Sequence, residues 1–145
     1  MTEPIVLEFE VEAPPERAFH VWTAGTSIWW PRSHTVSGSA DLAIVFEPRV
    51  GGRIFERAPD GTEHDWGEVV AWDPPSRLAY RWHLFFDPDQ ATEIEVTFAG
   101  TETGSRVRLV QTGFERLGAP GAERRRRTQS AWLELTTKFA EAVGS

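Results

Sequence analysis

Residues 92–112 hold two runs in which apolar and charged side chains alternate. Ile94, Val96 and Phe98 share one parity with each other, and Val107 and Leu109 do the same in the second run. Glu93, Glu95, Arg106 and Arg108 occupy the opposite parity. Because successive side chains of a strand point to opposite faces, this is a hairpin with one dry face and one wet face. A sheet of that kind has to bury its dry face against a single partner layer. Keeping the apolar residues together is expected to set Glu95 opposite Arg106 or Arg108, a pair worth about 0.2–1 kcal/mol.

The partner layer is available in one place. From Gly121 to Val143 the chain has no proline and only good to moderate helix formers. At 100° per residue Trp132, Leu135, Thr136, Phe139 and Val143 form one stripe, with Glu134, Lys138 and Glu141 opposite. A helix of that length spans about 34 Å, whereas a strand of six to eight residues spans about 20–26 Å. The helix must therefore cross the sheet diagonally, and a twisted sheet curling round one rod leaves space that side chains or a ligand must fill.

The remaining segments supply the sheet. Residues 5–12 alternate from Leu7 onward, with Leu7, Phe9 and Val11 against Glu8, Glu10 and Glu12. Pro14-Pro15 stops that strand, and a proline at a first helical position loses no hydrogen bond. Residues 15–23 then place Ala18, Phe19 and Trp22 on one side of a short helix, and residues 25–31 form a second short helix or turn. From about 40 to 113, apolar runs are separated by clusters such as Pro48–Gly52, Pro59-Asp60-Gly61, Asp73–Ser76, Asp87-Pro88-Asp89 and Gly100–Gly104. Their Gly, Pro and Asp content suits tight turns, so sequential antiparallel pairing is the simplest topology. The fold class is α+β: a curved antiparallel sheet of six to seven strands around a long C-terminal helix, one domain over residues 1–145.

Bulk properties narrow the function. With no cysteine in the chain, a disulfide, a thiolate metal site and a Cys nucleophile are excluded. A net charge of −7 argues against a nucleic-acid surface, which needs a basic footprint. No apolar run approaches the roughly 20 residues of a membrane span. Met-Thr-Glu-Pro at the start lacks the basic-then-apolar layout of a signal peptide, so a cytoplasmic protein is expected. Seven Trp and nine Phe are many for 145 residues. They either fill the core or line a cavity, since ligand pockets favour aromatic walls.

Three stretches resemble a known family. They are Ala13-Pro14-Pro15-Glu16-Arg17-Ala18-Phe19-His20-Val21-Trp22-Thr23 with Trp29-Trp30-Pro31; Phe46-Glu47-Pro48-Arg49-Val50-Gly51-Gly52-Arg53-Ile54-Phe55-Glu56 leading to Trp66-Gly67-Glu68-Val69; and Trp72-Asp73-Pro74-Pro75-Ser76-Arg77-Leu78 ending in Trp82. Together with the order strand, two short helices, six strands, long helix, they resemble the START-like or Bet v 1-like (SRPBCC) helix-grip superfamily. The detail is similar to its activator of heat-shock-protein-90 ATPase homologue-like branch. The resemblance implies the fold directly and function only by analogy, since relatives include lipid and hormone carriers, aromatic cyclases and co-chaperone domains. Relatives often carry Gly-Trp on the long helix with Leu four residues on. Here Ala131-Trp132 is followed by Thr136, which puts a hydroxyl on the inner stripe.

Candidate binding residues emerge from alternation and from the helix wheel. Phe46, Phe55, Trp66, Tyr80 and Trp82 can each face inward, and Trp30 can close one end. Gln129 and Thr136 are polar members of the helix stripe that could orient a ligand; otherwise Gln129 lies in water and Thr136 bonds back to its own helix. Arg124–Arg127 run round the helix circumference and cannot form one patch. His64 and Glu68 are read as sharing a face around Trp66, a pair suited to acid–base work. No metal-binding spacing, phosphate loop or nucleophile elbow is present, and no cofactor is expected. The expected function is binding of a small hydrophobic or aromatic molecule between sheet and C-terminal helix, by a monomer or homodimer. The alternatives are a cyclase- or hydrolase-type enzyme using His64, Glu68 or Tyr80 in the same cavity, and a co-chaperone-like interaction module.

Overall fold

A computed structural model of the chain describes residues 3–144. Strand β1 (Ile5–Val11) is followed by helices α1 (Pro15–Thr23) and α2 (Thr26–Trp29). Six strands come next: β2 (Ala43–Phe46), β3 (Arg53–Arg57), β4 (Glu63–Asp73), β5 (Arg77–Trp82), β6 (Thr92–Gly100) and β7 (Ser105–Thr112). Helix α3 (Pro120–Gly144) ends the chain as one continuous rod. The seven strands make a single open antiparallel sheet in the order β1-β7-β6-β5-β4-β3-β2. Consecutive strands from β2 to β7 pair as a meander, and β1 closes onto β7.

One face of this sheet packs on α3. Trp132, Leu135, Phe139 and Val143 from the helix join Ile94, Val96, Phe98, Val107 and Leu109 from the sheet in one core. The helix begins so close to the turn at Phe114–Leu117 that a Cβ on Gly121 would stand 2.2 Å from the Phe114 carbonyl oxygen. Only glycine permits that approach. Edge strand β2 is protected in an unusual way. The Ser27 hydroxyl of α2 accepts the Ile44 N–H at 2.8 Å and donates to the Ile44 carbonyl at 3.3 Å. That occupies backbone groups which an exposed edge offers to other chains.

The β6–β7 register differs from the sequence expectation. Val96 stands opposite Leu109 and Phe98 opposite Val107, as the apolar pattern requires, but Glu95 faces Val110. The short turn between Gly100 and Ser105 fixes this register. Glu95 instead receives Arg77 from β5 at 2.6 Å, and Arg106 reaches Glu10 of β1 at 3.2 Å. Strand β4 carries two register shifts, one against Ile54/Phe55 of β3 and one at Val69/Ala71 against β5. Each inserts a residue and reverses the parity of the residues beyond it.

Candidate functional site

The aromatic side chains of the interior pack on one another. Trp22 stacks on Trp132 with ring centres 5.9 Å apart and meets Phe139 edge-on at 4.9 Å. Trp30 lies 5.4 Å from Trp66 and 5.6 Å from Trp82, and Tyr80 bridges Trp82 (5.5 Å) to Phe46 (5.3 Å). Edge-on and offset contacts of this kind add about 0.5–1.5 kcal/mol each beyond area burial. Trp30, Phe46, Trp66, Tyr80 and Trp82 thus do point inward, where they touch each other under α3 and α2.

Phe55 is a correction. It belongs to the outer face, where the Arg53 guanidinium lies 4.1 Å and that of Arg57 5.3 Å from its ring centre. Alternation along β3 gives Arg53, Phe55 and Arg57 one face and Ile54 and Glu56 the other. Glu56 takes the inward place and is fully buried. Its Oε1 accepts the Val36 N–H at 2.6 Å and the Trp66 indole N–H at 2.9 Å, and its Oε2 accepts the Ser37 N–H at 2.9 Å. Burial pushes this carboxyl upward, but the hydrogen bonds from Val36, Ser37 and Trp66 outweigh it and hold the group below its ordinary value. One carboxylate thereby pins the loop after α2 to the sheet.

A second polar link joins sheet to helix. The Trp132 indole donates to Gln111 Oε1 at 2.7 Å, and Gln111 Nε2 donates to the Thr92 hydroxyl at 2.8 Å. Gln111 and Thr92 are both fully buried, inward-facing strand residues. The helix residues expected to supply polarity do not. Thr136 donates back to the Trp132 carbonyl at 2.8 Å, and Gln129 accepts from Arg125 at 3.3 Å. Sequence analysis does not single out Glu56 or Gln111, although each shares the parity of a buried neighbour, Ile54 and Leu109, which is the signal that marks them as inward-facing.

The acid–base candidates separate. Glu56 faces His64 across the β3–β4 pair, so His64 lies on the inner side. Glu68 faces Arg81 on the outer side and is exposed. The register shift at Trp66 puts the two on opposite faces, which overturns the expectation that they share one. Glu68 lines a polar depression of about 290 Å³ on the outer face with Arg53, Asp65, Arg81 and His83. Tyr80 is wholly buried; burial raises its hydroxyl far above the ordinary range, and the Trp22 indole hydrogen bond at 3.4 Å offsets this only slightly. The arginine run disperses as expected. Arg124 is buried over the Phe86 ring at 3.8 Å, Arg125 holds the Glu3 and Pro4 carbonyls, and Arg126 and Arg127 pair with Glu123. Burial pulls the Arg124 guanidinium down to about 10.

A groove of about 440 Å³ opens between α1, the end of β2 and the β4–β5 turn. Phe19, Phe46 and Trp72 line it, with Pro48, Pro74 and Pro75 at its sides and Glu16, His20, Thr23 and Ala24 along α1. Phe19 and Phe46 are almost wholly buried, and Trp72 is half-buried. The groove connects to the interior rings, because Phe19 touches Phe98 at 5.5 Å and Phe46 touches Tyr80 at 5.3 Å. Among the described residues no group of three or more His, Cys, Asp or Glu could hold a metal ion. No described helix is long and apolar enough to cross a membrane.

Comparisons with known proteins agree with this architecture. Protein MLL2253 from Mesorhizobium loti is 26% identical, with a TM-score of 0.70 over 96% of this chain and 95% of that one. An AHSA1-like protein from Aeromonas hydrophila is 22% identical, with a TM-score of 0.67 over 97% and 92% of the two chains, a likeness of fold. An anthrahydroquino-gamma-pyrone synthase, Txn09, solved as a complex, is 34% identical with a TM-score of 0.65 over 95% of each chain. No curated protein matches the sequence. The family model of the Activator of Hsp90 ATPase homolog 1-like proteins matches residues 12–144, and the chain belongs to that family, within the START-like helix-grip superfamily.

Proposed function

We propose that the protein binds a small aromatic or hydrophobic molecule, and that the molecule sits in the groove between α1 and the β4–β5 turn. The observation that carries this reading is the lining: three aromatic rings and three prolines around about 440 Å³, with few polar groups at the rim. That volume falls within the roughly 300–1,000 Å³ of small-molecule sites, and the mix of apolar wall and sparse polar rim is their usual chemistry. The indoles of Trp22, Trp29, Trp30 and Trp132 pack on one another beside α3, which favours the groove along α1 over the sheet–helix interior as the binding place.

The test is a calorimetric titration with quinoline, a flat neutral probe, against the native protein and Trp72→Ala. Trp72 is the most accessible of the three rings, so its loss is expected to weaken binding at least tenfold. No binding to the native protein, or equal binding by both proteins, contradicts the proposal.

A cyclase-type reading is favoured by one specific observation, the 34% identity to an anthrahydroquino-gamma-pyrone synthase over nearly the whole chain. In the groove its acid–base groups would be Glu16 and His20, because His64, Glu68 and Tyr80 do not line it.

A further inference from the structure

The groove has an electrostatic bias that its apolar lining conceals. The chain carries 15 Lys and Arg, yet among the described residues none of them lines the groove. The basic residues nearest to it in sequence are turned to other partners. Arg17 donates to the Val143 carbonyl at 2.9 Å. Arg49, next to Pro48, pairs with Glu47 at 3.4 Å. Arg77, beyond the β4–β5 turn, pairs with Glu95 at 2.6 Å and Asp73 at 3.2 Å. Glu16 remains as the charged residue of the lining, at the first turn of α1 and exposed at the rim. Phe19, one turn further along α1, and Trp72 line the same groove, and their rings meet edge-on at 5.0 Å.

Aromatic faces carry negative quadrupole density and attract a cation placed over them, most strongly for Trp. A carboxylate beside such rings adds attraction of the same sign. The overall charge of −7 adds a weak long-range pull in the same direction.

We propose that the groove selects an organic cation, a flat molecule with a positively charged nitrogen, which lies against Trp72 with its charge towards Glu16. This rests on the reading of the groove as the binding site and names the class of molecule it takes. A neutral aromatic of the same shape gains the apolar contacts alone.

The experiment compares N-methylquinolinium with quinoline, two probes of nearly the same outline that differ in permanent charge. Binding is followed by 1H–15N NMR at pH 8, where quinoline is neutral and N-methylquinolinium keeps its permanent charge. At low salt the cation is expected to bind about tenfold more tightly, from one cation–π contact and one partly exposed ion pair. The preference is expected to shrink in 0.5 M salt through screening. Glu16→Gln, an exposed and conservative change, should weaken N-methylquinolinium severalfold more than quinoline and so reduce the preference. Trp72→Leu, which keeps an apolar wall, should weaken N-methylquinolinium more than quinoline. Quinoline binding as tightly as the cation, or a preference that survives Glu16→Gln, overturns the selectivity while the binding site itself stands. Failure of both probes to bind removes the site and the selectivity together.

Discussion

Replacing Glu56 by Gln tests whether one buried carboxylate holds the loop after α2 on the sheet. Three N–H donors converge on its two oxygens, from Val36, Ser37 and Trp66. Gln keeps one carbonyl oxygen. If that oxygen takes the place of Oε1, the Val36 and Trp66 bonds survive as neutral ones, and the new amide N–H faces the Ser37 N–H. Hydrogen bonds to charged groups contribute about 1.5–3 kcal/mol each against about 1 for neutral ones. Two weakened bonds and one lost sum to about 4 kcal/mol. Ser37 is exposed and its N–H can turn to water, and a neutral amide costs less to bury than a carboxylate. The expected loss is therefore about 2–3 kcal/mol, or roughly 6–10 °C in Tm for a chain of this size. The pH dependence has a definite sign. The folded-state carboxyl sits below its ordinary value of 4.5, so the contribution is complete above that value and is lost as pH falls through the lower folded-state value. Urea denaturation of both proteins between pH 7 and pH 3 should show the gap at pH 7 and its narrowing in acid. A Glu56→Gln protein as stable as the native one at pH 7, or a gap that stays constant to pH 3, refutes the reasoning.

Two further substitutions probe how sheet and helix are joined. Gln111→Leu removes the acceptor for the Trp132 indole and the donor to Thr92, and should cost about 1–3 kcal/mol by urea denaturation. Adding Trp132→Phe should cost less in that background than in the native one, because the orphaned indole N–H goes with it. Phe55→Ala should destabilise by about 3 kcal/mol through lost packing beneath Arg53 and Arg57, while quinoline affinity stays within twofold, since the ring lies on the outer face. A large fall in affinity would return Phe55 to the binding site.

The elements of the fold were legible because the patterns that encode them are local. The period-two runs at 5–12 and 92–112 and the proline-free stripe ending in Phe139 and Val143 each read out within one segment. Registers were not legible. The β6–β7 pairing depends on the length of the turn after Gly100, and the faces of His64 and Glu68 depend on a residue inserted at Trp66. In β3, Ile54, Phe55 and Glu56 are all buried, so hydropathy points to Phe55 as the inward side chain, whereas the Arg53 and Arg57 stems that cover it decide otherwise. The groove was hidden for another reason. Its walls come from residues 16–24, 46–48 and 72–75, which only the folded sheet brings together.

The most direct test of the whole account uses the seven tryptophan indole N–H signals as reporters of where a ligand sits. Quinoline is titrated into the native protein and the indole region of the 1H–15N spectrum is followed. The account expects the Trp72 signal, with the backbone amides of His20, Thr23 and Ala24, to move most, while Trp30, Trp66 and Trp132 stay nearly still. Large shifts of Trp30, Trp66 and Trp132 with Trp72 unmoved would place the ligand beneath α3 and contradict the groove as the binding site.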